Sequence, residues 1–175
     1  MQDDALYNSI KKGKEEALTA LFEKYFQRLC FFAGEITGST AIAEEVVADV
    51  FIKLWENRRK THISHVRAYL YKSVKNKALK HVDPYPSSRS LPLEIPDNTN
   101  METRTIKKEQ LQEVLEVINK MPPQQRQVFE FKRFHNLKYK EIASVMNLSV
   151  HTVQNHMVMA IKFMHDNLPA NRFID

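Results

Sequence analysis

Between Asp83 and Thr103 the chain carries four prolines (Pro84, Pro86, Pro92, Pro96), three serines and no helical periodicity. Proline removes a backbone donor and fixes φ, so a run of this kind cannot lie inside a packed helix. It reads as an extended strap reaching about 3 Å per residue. The chain therefore divides into two packed parts, 1–82 and 104–175, with 83–103 as the linker. Only three glycines occur in 175 residues, and β-type alternation is scarce, so both parts are expected to be helical with short connections. The fold class expected is all-α: an N-terminal helical bundle and a C-terminal helix-turn-helix domain joined by an extended Pro-rich linker.

In the first part, Leu18, Leu21, Phe22, Tyr25, Leu29 and Phe32 recur at three- and four-residue steps. They mark an amphipathic helix from about Lys14 to Glu35. Gly38 to Thr40 breaks it, with Thr40 as the expected cap of the next helix. There Val46, Val47, Val50, Phe51 and Leu54 face a core, while Glu45, Asp49, Ile52 and Glu56 form an opposite stripe. A third helix is expected from about Ser64 to His81, with Val66, Leu70 and Val74 inward and most lysines outward. Cys30 lies in an apolar run and reads as a buried, inert thiol; a single cysteine excludes a disulfide framework.

In the second part, Leu111, Val114, Leu115 and Ile118 set a helix ending before Met121. A further helix restarts with two prolines in its first turn, where a missing N–H does no harm. Val128, Phe131, Phe134 and Leu137 are expected to supply its core. The stretch Lys138 to Phe163 then reads as two helices and a tight turn. Ala143 lets the helices approach, Asn147 tolerates the left-handed turn, Ser149 caps the second helix and Val153 fixes its angle.

Charge is unevenly distributed. Residues 1–56 hold six basic and ten acidic side chains, whereas residues 57–82 hold eight basic ones and no acid. A cationic block without a carboxylate favours phosphate contact over a merely solvated face. No carboxylate cluster, Gly-rich phosphate loop or nucleophile–base pair accompanies it, so an enzyme is not expected. His151 and His156, five residues apart on a helix, do not share a face, and no metal or other cofactor is expected. The N-terminus shows no signal-peptide pattern and no apolar run approaches the ~20 residues that span a bilayer, so membrane insertion is not expected.

Three phrases resemble those of extracytoplasmic-function sigma factors, the small alternative initiation subunits of bacterial RNA polymerase. AEEVVADVFIKLWENR is similar to their polymerase-binding helix, and VRAYLYKSVKNKAL to their promoter-melting, minus-ten-reading helix. MPPQQRQVFEFKRF with KYKEIASVMNLSVHTVQNHMVMAIKF resembles their minus-thirty-five domain. The order and spacing make the resemblance more specific than any phrase alone.

The resemblance implies residue roles. Glu45, Asp49, Ile52, Lys53 and Glu56 would bind core RNA polymerase. Arg58, Arg59, Lys60, Arg67, Tyr71, Lys72, Lys75 and Asn76 would meet minus-ten DNA, with Tyr69 and Tyr71 as stacking faces and the loop Asn57 to His65 capturing a flipped base. Lys138, Lys140, Ser149, His151, Thr152, Gln154, Asn155 and His156 would meet minus-thirty-five promoter DNA. The chain departs from the family at Ala48, where Gln or Asp is common, and at His156, where Arg is. Asn147 is also not the commoner turn residue. An anti-sigma factor, often membrane-tethered in the family, is implied as partner, with no small-molecule substrate. The single cysteine and the lack of a signal or spanning segment lead to an expected cytoplasmic location. The competing expectation is a stand-alone activator or repressor using the same helix-turn-helix.

Overall fold

The computed structural model describes residues 2–82 and 101–168, and the chain divides into two compact units. Among the described residues all regular structure is helical.

The first unit contains α1 (Gln2–Lys11), α2 (Glu15–Thr37), α3 (Thr40–Glu56) and α4 (Val66–Ala78), the last continued by a 3-10 turn at Leu79–His81. α2 lies along α3, α4 packs on both, and α1 packs against α2 and α4. Leu21, Leu29, Val46, Val47, Leu70 and Val74 are fully buried. Their spacing is the three-and-four pattern that puts one side of each helix inward. Phe22 meets Phe51 edge-on at 5.1 Å between centroids, and Phe32 tilts against Tyr71 at 5.3 Å. Such aromatic pairs add to the simple burial of area.

Two details differ from expectation. α2 ends at Gly38 in the left-handed conformation (φ 69°), whose N–H reaches the Gly34 carbonyl at 2.8 Å. The chain is extended again at Ser39, so Ser39 rather than Thr40 caps α3, accepting the Ile42 N–H at 3.4 Å. Thr40 is already the first helical residue. Cys30 is half-buried rather than buried, and desolvation, with the Glu44 charge second, pushes its thiol up to about 11. A thiol raised in this way is protonated at neutral pH and a poor nucleophile.

The second unit contains α5 (Met101–Lys120), α6 (Pro123–Arg133), α7 (Tyr139–Met146) and α8 (Val150–Asn167). The linker expected over 83–103 lies outside the described residues as far as residue 100, and 101–103 begin α5. No proline or glycine interrupts the sequence from Met101 to Lys120. Pro122 caps α6 and Pro123 is its first residue, the two positions where proline loses nothing. α8 packs on α6 and α5, burying Val153, Met157, Ala160 and Met164.

Val128, Phe131 and Leu137 are buried as expected, but Phe134 is 48% exposed. It stands at the end of α6, where Phe129 takes the buried place and meets it edge-on at 6.5 Å. The helix-turn-helix forms with Asn147 left-handed (φ 61°) and its N–H on the Ala143 carbonyl. Asn136, between α6 and α7, is left-handed too (φ 50°). Each asparagine is followed by a leucine and then by the residue that precedes the next helix.

Candidate nucleic-acid and protein interfaces

α3 presents Glu45, Ile52, Lys53 and Glu56 to solvent, with Ile52 54% exposed. Asp49 shares the stripe of Glu45, Ile52 and Glu56 but is bound within the unit, accepting a charged hydrogen bond from Lys77 of α4. The pair ties α3 to α4 beneath the acidic stripe. A large apolar side chain ringed by carboxylates suits a protein surface better than a phosphate backbone.

The acid-free segment is more differentiated than its charge count suggests. Arg58 lays its guanidinium 4.0 Å over the Trp55 ring and donates through one terminal nitrogen to the Trp55 carbonyl at 2.7 Å. It thus adds a charged donor to a carbonyl in the last turn of α3 that the Arg58 backbone N–H also reaches, at 3.3 Å. Arg59, Lys60 and Asn76 are exposed, whereas Arg67, Lys72 and Lys75 are half-buried. Desolvation holds the Lys75 ammonium below the ordinary lysine range. Tyr71 is fully buried (0%) and packs on Phe32, so its ring cannot stack on a base. The expectation for Tyr71 is corrected: its position on α4 faces inward with Val74 and Leu70. Tyr69, two residues earlier, is half-buried and keeps part of its surface open to solvent.

The loop between α3 and α4 is anchored from outside. Tyr7 of α1, 3% exposed, donates its hydroxyl to the Thr61 carbonyl at 2.7 Å. Lys60 and Thr61 N–H groups both turn back to the Asn57 carbonyl. Nothing in the periodicity of residues 2–11 announced this contact, because it joins residues 54 positions apart.

At the helix-turn-helix, Ser149 Oγ accepts the Thr152 N–H at 3.0 Å and lies 2.8 Å from Thr152 Oγ1. These two hydroxyls serve the cap. His151 Nε2 and Asn155 Nδ2 meet at 3.2 Å one turn apart. Gln154 is exposed. His156 turns half inward, with Nδ1 buried and lacking a hydrogen-bond partner. It therefore does not join the exposed row of His151, Gln154 and Asn155. Lys138 and Lys140 are exposed, and the Lys138 backbone N–H donates to the Glu141 carboxylate at 2.7 Å, starting α7.

Among the described residues no group of three or more metal-type ligands converges, and no helix is long and apolar enough to cross a membrane.

Residues 21–83 match the family model described as sigma-70 region 2, and residues 111–164 that described as sigma-70 region 4. Among solved structures, the chain is similar to CnrH in its complex with the cytosolic domain of CnrY. There the TM-score is 0.66 at 18% identity, covering 95% of this chain and 96% of that one. It is also similar to the sigma factor RpoE of Bartonella quintana in complex with the anti-sigma factor NepR. That match has a TM-score of 0.64 at 15% identity, covering 87% of this chain and 97% of the other. No curated protein matches the chain in sequence. Both matched regions, in order and together spanning most of the described residues, define a transcription-initiation protein with a helix-turn-helix. The chain belongs to the sigma-70 family.

Proposed function

We propose that this chain is an alternative sigma factor that binds core RNA polymerase and directs it to particular promoters. The observation that carries the reading is the sequence of surfaces within one unit. The acidic–apolar stripe of α3 runs directly into the acid-free segment 57–82, and a helix-turn-helix follows in the second unit. Residues 1–82 would act as region 2 and 104–175 as region 4, acting from the cytoplasm. Glu45, Ile52, Lys53 and Glu56 would face polymerase, with Asp49 contributing through its pair with Lys77. Arg59, Lys60, Arg67, Lys72, Lys75, Asn76 and Tyr69 would meet the minus-ten element. Catalysis would belong to polymerase, not to this chain.

Control by an anti-sigma factor fits the same stripe, since an exposed isoleucine among carboxylates offers a second protein the same anchor. Of the two similar structures, CnrH was captured with the cytosolic domain of CnrY and RpoE with the anti-sigma factor NepR. The test is run-off transcription with core polymerase on a promoter library. Promoter-specific transcripts that vanish in Ile52→Asp are expected. Tight duplex binding by the free chain with no affinity for core polymerase would instead indicate a stand-alone regulator.

A further inference from the structure

From Val150 to Val158 one outer flank of α8 is neutral and largely apolar, and it carries a cation only at the next step of four, exposed Lys162. Val150 is 37% exposed and Val158 66% exposed, with exposed Gln154 between them. Steps of four residues set the three along one side of the helix, about 6 Å apart. They read methyl, amide, methyl.

Local structure does not explain this row. The inward face is already occupied by Val153, Met157, Ala160 and Met164. Exposed β-branched residues are poorer helix formers than the lysine or alanine that could stand there. The neighbouring polar groups are engaged with one another, Ser149 with Thr152 and His151 with Asn155. From Val150 to His165 the helix holds no acid that would repel a phosphate backbone.

An A·T pair matches this row in the major groove. Adenine offers N7 and its amino group to a side-chain amide, and thymine offers its C5 methyl to an apolar group. We infer that Val150 and Val158 read thymine methyl groups on either side of an adenine paired by Gln154. The upstream element chosen by α8 is then A·T-rich at three positions. The inference rests on α8 being the recognition helix of a sigma factor.

The experiment uses holoenzyme assembled from the full chain and core polymerase. Upstream elements are selected from a randomised duplex library, and each selected thymine is then replaced by deoxyuridine, which keeps the pairing and lacks the methyl. Loss of about fourfold in open-complex formation per contacted methyl is expected. In Val158→Ala the same deoxyuridine should cause no further loss at one position, and in Val150→Ala at another. Ile161→Ala, off the row at an exposed site (51%), should leave the thymine-to-uracil ratio unchanged. Indifference to deoxyuridine everywhere, or selection of G·C opposite Gln154, overturns the inference while transcription itself upholds the sigma reading. A Val158→Ala defect equal on thymine and uracil, with weakened polymerase binding, overturns it in favour of a protein-docking face. A holoenzyme that initiates nowhere overturns both.

Discussion

Lys77 of α4 donates to Asp49 of α3, joining by one charged hydrogen bond two helices assigned to different partners. The lysine is 20% exposed and the aspartate 41%, so the two ends of the pair are not equivalent. Removing the acid strands a largely buried ammonium, whereas removing the lysine leaves a carboxylate that water can reach. Asp49→Asn is therefore expected to lower unfolding stability by about 1–2 kcal/mol and Lys77→Met by less. Urea denaturation at pH 7 checks the order of the two. The exchanged pair Asp49→Lys with Lys77→Asp should recover part of the loss.

Asp3 fastens α1 to α2. Its carboxylate accepts from Lys24 at 2.5 Å and from the Tyr25 hydroxyl at 2.6 Å. Burial alone would raise its pKa, but these two hydrogen bonds and the Lys24 charge together hold it below the ordinary 3.8. A carboxylate with a depressed folded pKa stabilises the native state fully above its unfolded value. That contribution is lost as pH falls through the folded value. Wild type should exceed Asp3→Asn by a constant margin of about 1 kcal/mol from pH 7 down to about pH 5. The margin should shrink below the ordinary value of 3.8, as read by paired denaturation curves.

Tyr7→Phe deletes the hydroxyl that holds the Thr61 carbonyl and leaves that acceptor with one partner fewer. A loss of about 1 kcal/mol is expected. Amide exchange should accelerate at Lys60 and Thr61 more than at Val47 or Leu70. Uniform acceleration would mean that Tyr7 braces the whole bundle rather than the loop.

Asn147 holds a left-handed turn that Gly adopts without strain and Ala does not. Asn147→Gly should be within ~0.5 kcal/mol of wild type and Asn147→Ala about 1 kcal/mol worse. Ser149→Ala removes the α8 cap and should cost about 1 kcal/mol by thermal or urea unfolding.

Helix positions and most core residues were legible because they depend on local periodicity: Val46, Val50, Leu54, Leu70 and Val74 follow it directly. The turn at Asn147 and the cap at Ser149 were legible for the same reason, each depending on chemistry within four residues. Tyr71 was misplaced because one residue type serves equally as core ring and as base-stacking face. Only the rotation of α4 against α2 separates those roles. The Asp49–Lys77 and Tyr7–Thr61 contacts join distant segments, and no spacing rule announces them. Phe134 was misjudged because α6 ends at Arg133, so the helical pattern no longer governs where its ring points. Proposed partners follow from surfaces whose chemistry the sequence shows but whose exposure it does not.

Arg58, set against Trp55, bears on how salt should affect promoter binding. A cation already resting on an indole and donating to a helix-end carbonyl releases few counterions from DNA. Of the eight cations in residues 57–82, Arg58 and Lys77 are both engaged within the protein. The dependence of complex formation on salt concentration should therefore be shallower than the raw charge of this segment implies. Discrimination between promoters would then survive rising ionic strength better than overall affinity does.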